Sequence, residues 1–397
     1  MNKKIFQGVQ KLHKLCSDSE YKGVSLYDSH NSPIPFHRLG PRLSFYVNQI
    51  NKRSPINFRK ILRIKKGINP KGMGLFLYSY LLNDILGNPI EVSNPDEKTK
   101  HFFRWLVENS SKDNYSGYCW GYNYPWPKTN GLLIPPYTPS SVVTAFNIRA
   151  IFQYFLHSKE KMCIELIKGA EKFILNDIII SETDRGICFS YTPLERDFTL
   201  NASLKAAEIL AYSDFVMNKS DNQHLIEKAI SFVMSYQNEN GSWYYAIDPK
   251  TGKPDKQIDF HQGYILETLK RITDFSLIDI NEFENCITRG LNFYRKKQFS
   301  DDGISLWRFP KKWPIDIHNQ SQGIITFSMF KDYNQGYLDF AEKIALWTIN
   351  NMQSKVNGAF YYQKWPLITN KMNYMRWNQG WMFLALNQLL FHSKFQD

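Results

Sequence analysis

The sequence predicts an all-α protein, an (α/α)6 toroid of six helical hairpins with short Gly-aromatic turns and an irregular basic N-terminal arm. Three observations lead there. Polar clusters that open apolar helical runs recur about every sixty residues. Amphipathic segments with charged outer faces lie between them, and each of these ends in a glycine followed by aromatic side chains. A repeat of this period marks stacked copies of one supersecondary unit, each too small to bury its apolar face alone.

Residues up to Leu15 carry apolar side chains at helical spacing and form the first outer helix. The start, Met1-Asn2-Lys3-Lys4, is basic, but no apolar stretch follows, so no signal peptide is expected. Residues 18–65 form the arm, where Pro33, Pro35, Pro41 and Pro55 argue against long helices. Asn69-Pro70-Lys71-Gly72 opens the first inner helix, and Thr138-Pro139-Ser140-Ser141 the second. Leu200-Asn201-Ala202-Ser203 opens the third, and Asp259-Phe260-His261-Gln262-Gly263 the fourth. His318-Asn319-Gln320-Ser321-Gln322-Gly323 and Arg376-Trp377-Asn378-Gln379-Gly380 open the last two. Gly263 and Gly323 stand 60 apart, and Gly323 and Gly380 stand 57 apart. Outer helices fall at about 97–110, 159–176, 222–238, 281–298 and 336–353. The turns that follow them begin at Gly117, Gly186, Gly241, Gly303 and Gly358. Inner helices are apolar on most sides, as buried helices must be, while outer ones keep a solvent face. Six pairs favour closure into a ring over an open solenoid. With no Pro/Gly/Ser-rich linker, one domain over 1–397 is expected.

Aromatic residues make up 15% of the chain, an excess that suits sugar faces as well as cores. The cysteines (Cys16, Cys119, Cys163, Cys188, Cys286) are scattered, which argues against a disulfide framework or a zinc site. The longest apolar runs, at 73–82 and 381–391, are too short and too polar to span a bilayer. A soluble, cytoplasmic protein is expected. The formal charge is +12. Between residues 29 and 83 there is no Asp or Glu, but there are ten basic residues, from Arg38 to Lys71. Such a block attracts an anion. The expected partner is an anionic or lipid-linked glycan, not nucleic acid. A peripheral membrane-surface contact through the arm stands beside it, and the oligomeric state is left open.

Over residues 66–397 this pattern resembles the α/α-toroid proteins: six-hairpin glycosidases, uronate epimerases and lyases, and terpenoid cyclases. Gln237-Asn238-Glu239-Asn240-Gly241-Ser242-Trp243 matches the Q-x-x-x-G-x-W motif of the cyclases, where it is structural. Their catalytic D-x-D-D is absent here. Three arm segments, Tyr27-Asp28-Ser29-His30-Asn31-Ser32-Pro33, Lys52-Arg53-Ser54-Pro55-Ile56-Asn57-Phe58-Arg59 and Lys65-Lys66-Gly67-Ile68-Asn69-Pro70-Lys71-Gly72, resemble bacterial exopolysaccharide and capsule biosynthesis proteins of the VpsJ type. Where that family has a Tyr-Asp-Pro-Tyr/Phe-Asp run, this chain keeps only Asp28, its second acid. The resemblance implies a role in surface-polysaccharide assembly, with Asp28, Asn31 and Arg53 among the substrate-binding candidates.

In a ring of hairpins the inner helices begin at one mouth, where unsatisfied N–H groups and positive dipole ends face the cavity and favour an anion. Lys71, Ser140, Asn201, His261, His318, Asn319, Gln320, Arg376 and Asn378 occupy those starts. Trp120, Trp243, Trp307 and Trp365 are candidates to stack on sugar rings, with packing between turns as the alternative. Two starts carry Asp-x-His: Asp259-Phe260-His261 and Asp316-Ile317-His318. A carboxylate beside a histidine fixes its tautomer and raises its basicity. The alternative is that Asp serves the first helical turn and His packs. Hydrolysis needs two carboxylates, which Asp259 and Asp316 can supply, with Asp28, Glu195 and Asp197 in reserve. Proton abstraction beside a sugar carboxylate needs a His or Tyr base and acid, and cations or amides to hold the charge. His261, His318, Tyr122, Tyr191 and Tyr244 suit the first role, and Arg376, Arg308, Asn201 and Gln320 the second. The inventory favours uronate epimerisation or β-elimination over hydrolysis. A noncatalytic factor that binds a glycan or lipid anion is the remaining alternative. No cofactor or metal is expected, because phosphate-binding glycine motifs, HExxH and Cys/His clusters are all missing.

Overall fold

Two kinds of helix follow from two kinds of sequence. In the computed structural model, which describes residues 3–128 and 132–395, the first helices are α1 (Lys3–Asp18), α2 (Pro41–Arg53), α3 (Pro70–Ile85), α4 (Pro95–Glu108) and α5 (Ser141–Ser158). Then come α6 (Lys161–Asn176), α7 (Leu200–Met217), α8 (Gln223–Ser235) and α9 (His261–Asp274). The last are α10 (Glu284–Phe293), α11 (Ile317–Met329), α12 (Gly336–Met352) and α13 (Trp381–Lys394). The inner helices are covered on all sides: α7 buries every residue from 200 to 214. The outer ones bury a stripe. In α6 that stripe is Cys163, Leu166, Ile167, Ala170, Phe173 and Ile174, the spacing of one helical face.

The ring closes. Each of α3, α5, α7, α9, α11 and α13 packs on the next, and α13 returns to α3. Outer helix α1, from the chain's start, lies against α12 and α13 from its end. Glycine makes this seat close enough. At Gly358, with φ +76°, an added Cβ would stand 2.6 Å from the Cβ of Lys11 on α1. Gly241, with φ +89°, meets the carbonyl of Arg289 on α10 in the same way, at 2.3 Å.

A recurring clamp joins each turn to its inner helix. The backbone N–H of Trp120 donates to Thr144 Oγ1 (3.1 Å), and that of Phe189 to Ser203 Oγ (3.1 Å). The same bond runs from Trp243 to Gln262 (2.8 Å), from Ser305 to Gln320 (2.8 Å) and from Phe360 to Gln379 (2.9 Å). These five acceptors stand 58 or 59 positions apart. Part of the sixty-residue polar signal is therefore this clamp.

Two short antiparallel sheets rim the mouth. In one, 198–199, 246–247 and 254–255 pair in that order; in the other, 315–316, 363–364 and 369–370. The arm lies across the same end and is less irregular than its prolines predict. Pro41 sits at the first position of α2, where its missing N–H costs nothing and its fixed φ favours a helix. A buried ion pair pins the arm. Arg59 Nε lies 2.9 Å from Asp28 Oδ1, and its Nη2 donates to the Ser25 carbonyl.

Candidate functional site

The inner helices converge on an axis plugged by three rings: Phe146 of α5, Tyr264 of α9 and Trp381 of α13. Their centroids lie 5.0–5.5 Å apart. Below the plug runs a hydrogen-bonded girdle to which all six inner helices contribute. Arg149 donates to both oxygens of Glu208, at 2.6 and 2.8 Å, and also to Glu267. Lys205 donates to Glu208 (2.9 Å) and Tyr212 does so at 2.8 Å. Arg271 and Gln322 donate to Glu267, and Tyr78 of α3 accepts from Arg271 and from Gln388 of α13. Burial alone would raise the Glu208 carboxyl, but Arg149 and Lys205 outweigh it and hold it at about 2. Burial and the Arg149 charge bring Lys205 down to about 8.

Above the plug, at the starts of the inner helices, lies a polar and aromatic cluster that we call the bowl; Lys71 is at its base, and Lys71, His318 and Arg376 are buried in it. The Lys71 ammonium takes no hydrogen bond among the described residues and faces rings instead, 4.0 Å from Phe146 and 5.2 Å from Trp381. Burial, then the charges of Arg376, Lys205 and Arg149, hold its amine well below the usual lysine range. Around the plug Lys71, Lys205, Arg149, Arg271 and Arg376 are all buried, and the carboxylates among them are Glu208 and Glu267. On the mouth side Asp259 and Asp316 add two more buried carboxylates, and Lys71 and Arg376 are the cations there that an entering anion could meet.

The two Asp-x-His starts differ. Asp259 Oδ1 lies 2.6 Å from His261 Nδ1 and also accepts the His261 backbone N–H. Among the described residues no partner is found for His261 Nε2, on a side chain that is 14% exposed. Burial would raise the Asp259 carboxyl, but the charge and hydrogen bond of His261 hold it below its ordinary value. Asp316 does not pair with the His318 ring. It caps α11 by accepting the His318 backbone N–H (3.0 Å), and its remaining capacity goes to Trp377 (3.2 Å) and Gln363 (2.8 Å). His318 is buried, with Nε2 2.6 Å from the Tyr264 hydroxyl. Burial and the charges of Lys71 and Arg376 push it well below the ordinary histidine value.

These groups form one cluster. The Phe260 ring lies 4.2 Å from both His261 and His318, and Trp377 lies 4.3 Å from His318. Arg376 stacks between Tyr122 (5.0 Å) and Trp377 (5.4 Å) and donates to the Tyr124 hydroxyl. Tyr191 reaches Tyr122 hydroxyl to hydroxyl at 3.4 Å, and Tyr245, not Tyr244, lies 4.6 Å from His261. Arg308 Nε is 3.9 Å from Asp259 Oδ2 at the rim. Among the described residues Asn201 Oδ1, His318 Nδ1, Arg376 Nε and Trp381 Nε1 are buried without partners. Buried polar atoms without partners call for a bound water, an ion or a functional role.

Other candidates lie elsewhere. Trp120 and Trp243 are fully buried, their indole N–H groups donating to the Leu106 and Val233 carbonyls, so neither offers a face to a sugar. Gln320 belongs to the clamp. Asn378 donates to the Phe360 and Met372 carbonyls and holds a turn. Asp28 is committed to Arg59. Arg53 is exposed at the end of α2, and Asn31 ties the arm to the Asn123 carbonyl. Sequence reasoning missed Tyr264, Tyr245, Phe260 and Trp377. Tyr264 alone had a signal, standing three positions after His261 on one helical face. Among the described residues no cluster of His, Cys, Asp or Glu is arranged to hold a metal.

No protein-family model and no curated protein sequence matches the chain. Solved structures do. A cellobiose 2-epimerase from Bacillus thermoamylovorans has a TM-score of 0.65 at 12% identity, over 83% of this chain and 90% of that one. An unsaturated glucuronyl hydrolase specific for heparin gives 0.65 at 11% identity, over 100% of this chain and 98% of that one. A D-mannose isomerase gives 0.59 at 13% identity, over 82% and 87%. At such identities the likeness is one of fold: the chain has the α/α toroid of these six-hairpin, glycosidase-like enzymes.

Proposed function

We propose that the bowl binds a sugar carrying a carboxylate or carbonyl and moves a proton at the adjacent carbon, by epimerisation or elimination. The Asp259–His261 pair carries this reading. With Nδ1 held by Asp259, Nε2 is the basic nitrogen facing the bowl, the arrangement of a general base. Arg376, Arg308 and Lys71 supply positive charge for the carboxylate or enolate that gains electron density when the proton leaves. Tyr245 and Trp377 offer ring faces to a sugar, and Tyr191 or Tyr122 a hydroxyl as acid.

The toroids of similar fold include proteins named as a sugar epimerase, a sugar isomerase and a glucuronyl hydrolase, which supports a carbohydrate substrate. Hydrolysis through Asp259 and Asp316 fits less well. One carboxylate is engaged by His261 and Gln257, the other by a helix start, Gln363 and Trp377. The assignment to bacterial surface-polysaccharide assembly rests on the resemblance of the arm segments alone.

The test is incubation of the protein with uronate-containing and reducing oligosaccharides in D2O, followed by NMR. We expect deuterium at the carbon beside the carboxylate or carbonyl, or a new unsaturated uronate, and loss of either in His261→Asn. Release of reducing ends with no carbon-bound deuterium and no unsaturated product would mean hydrolysis. Undiminished exchange in His261→Asn would remove the proposed base.

A further inference from the structure

Helix α2 is inside out. Its polar side chains Ser44, Asn48 and Asn51 are buried against the rest of the arm, where Asn51 donates to Ser29 Oγ and the Ser44 carbonyl meets His30. Leu43, Tyr46 and Ile50, spaced for one helical face, point outward, Leu43 55% and Ile50 63% exposed. A surface helix normally does the reverse. The segment after it leaves Ile56 and Ile61 exposed as well. The hairpin at 363–370 adds Trp365, Ile368 and Leu367, the last 96% exposed at the tip. This hairpin stands beside the end of α2, where Asn370 Nδ2 donates to the Ser54 carbonyl. Single exposed apolar residues are ordinary, but a contiguous group rimmed by polar charge is an interaction surface.

From these observations we propose that α2 and the 363–370 hairpin form a docking face for an anionic lipid surface. The charge of the rim selects the occupant. Arg42 and Arg53 flank the apolar face of α2, Lys60, Arg63, Lys65 and Lys66 are exposed beyond it, and Lys371 follows the hairpin. No Asp or Glu lies between residues 29 and 83 or between 363 and 373. An apolar face with a basic rim and interfacial Tyr and Trp is the composition of a helix lying in a headgroup layer. No helix among the described residues is long and apolar enough to cross a membrane, so the contact is peripheral. The face borders the mouth of the bowl, since Gln363 bonds Asp316 and α2 packs on the strand Trp126–Pro127. A lipid-carried substrate would arrive from that side. The inference does not depend on the proposed reaction.

The test is flotation of the full chain with phosphatidylcholine vesicles, with and without about one third phosphatidylglycerol. We expect binding to the anionic vesicles only, weakened by salt through screening. The triple variant Leu43→Ser, Tyr46→Ser, Ile50→Ser should bind roughly tenfold more weakly or worse with an unchanged melting curve, because those side chains are exposed. Arg42→Glu with Arg53→Glu, at positions that carry no packing, should abolish the anionic preference and serves as the check if the triple variant misfolds. Absence of flotation at low salt would overturn the proposal, as would binding that both variants retain. A dimer in sedimentation velocity that the triple variant dissolves, without vesicle binding, would assign the face to a second copy of the chain.

Discussion

At the scale of single residues, Lys71 stands out because its surroundings disfavour its own charge. Burial, Arg376, Lys205 and Arg149 act against the ammonium, Glu267 offsets them only in part, and among the described residues no carboxylate accepts a hydrogen bond from it. Residues held so against their preference are characteristic of functional sites. Lys71→Met keeps the volume and removes the buried amine. We expect it to raise stability at pH 7 by about 1–3 kcal/mol, the usual gain when an uncompensated buried cation becomes apolar. The sign fixes the pH window. The folded value lies below 10.5, so the unfolded chain holds the extra proton and wild type bears the cost below that pH. The gain should therefore shrink as pH rises toward 10.5 and be absent above it. Urea melts of both proteins at pH 7 and 11 measure it, and a loss of stability at pH 7 would make Lys71 structural. The two Asp-x-His motifs teach a related point. In sequence they are equivalent. In the fold, Asp316 is the residue that caps α11, whereas Asp259 lies one position further from the start of α9. One residue turns a helix by about 100°, so His261 reaches the rim and His318 the axis.

At the scale of elements, the repeat was legible because its parts are periodic for physical reasons: glycine where a turn meets an outer helix, apolar runs where a helix is surrounded. Its polar part was misread in one respect. Clamp residues and bowl residues alternate at the start of each inner helix, so Gln320 and His318 share a motif while serving opposite sides of it. Gln320 accepts from Ser305 N–H and donates to the Gly303 carbonyl and to Thr348 Oγ1, all buried. Gln320→Ala leaves those groups unsatisfied, at about 1–3 kcal/mol for each strongly affected group. We expect a total loss of about 2–4 kcal/mol in chemical denaturation and, in the folded fraction, unaltered ligand binding. A stable variant with impaired binding would return Gln320 to the site. The arm shows where sequence patterning fails. Four prolines read as breakers, but one of them begins α2, and the reversed polarity of that helix is invisible until its neighbours are known.

At the scale of the whole molecule, the girdle under the plug decides how the ring responds to acid. Its key positions were present in the sequence as charges inside otherwise apolar inner helices, with Arg149, Glu208 and Glu267 each 59 positions apart, in one layer of the ring. Apolar periodicity hid them, because a helix lining a closed axis is buried on every side, whatever its charge. The folded state holds Glu208 near 2 against an ordinary 4.5, and Glu267 is lowered in the same direction by Arg149 and Arg271 against the effect of burial. A lowered carboxyl contributes stability that is complete above its unfolded value and is lost as pH falls through the folded one. The unfolded chain takes up the proton first. The contribution of Glu208 should thus be constant above about pH 5 and fall by about 3 kcal/mol between 4.5 and 2, with Glu267 adding to it. Glu208→Gln removes one titrating group and leaves Arg149 and Lys205 short of a carboxylate. It should lower stability at pH 7 by about 3–5 kcal/mol and flatten the acid limb of the pH profile. Denaturant melts at a series of pH values read both effects. A variant that is destabilised but keeps the wild-type acid slope would move the acid sensitivity elsewhere, and leave the girdle as a packing device joining six helices.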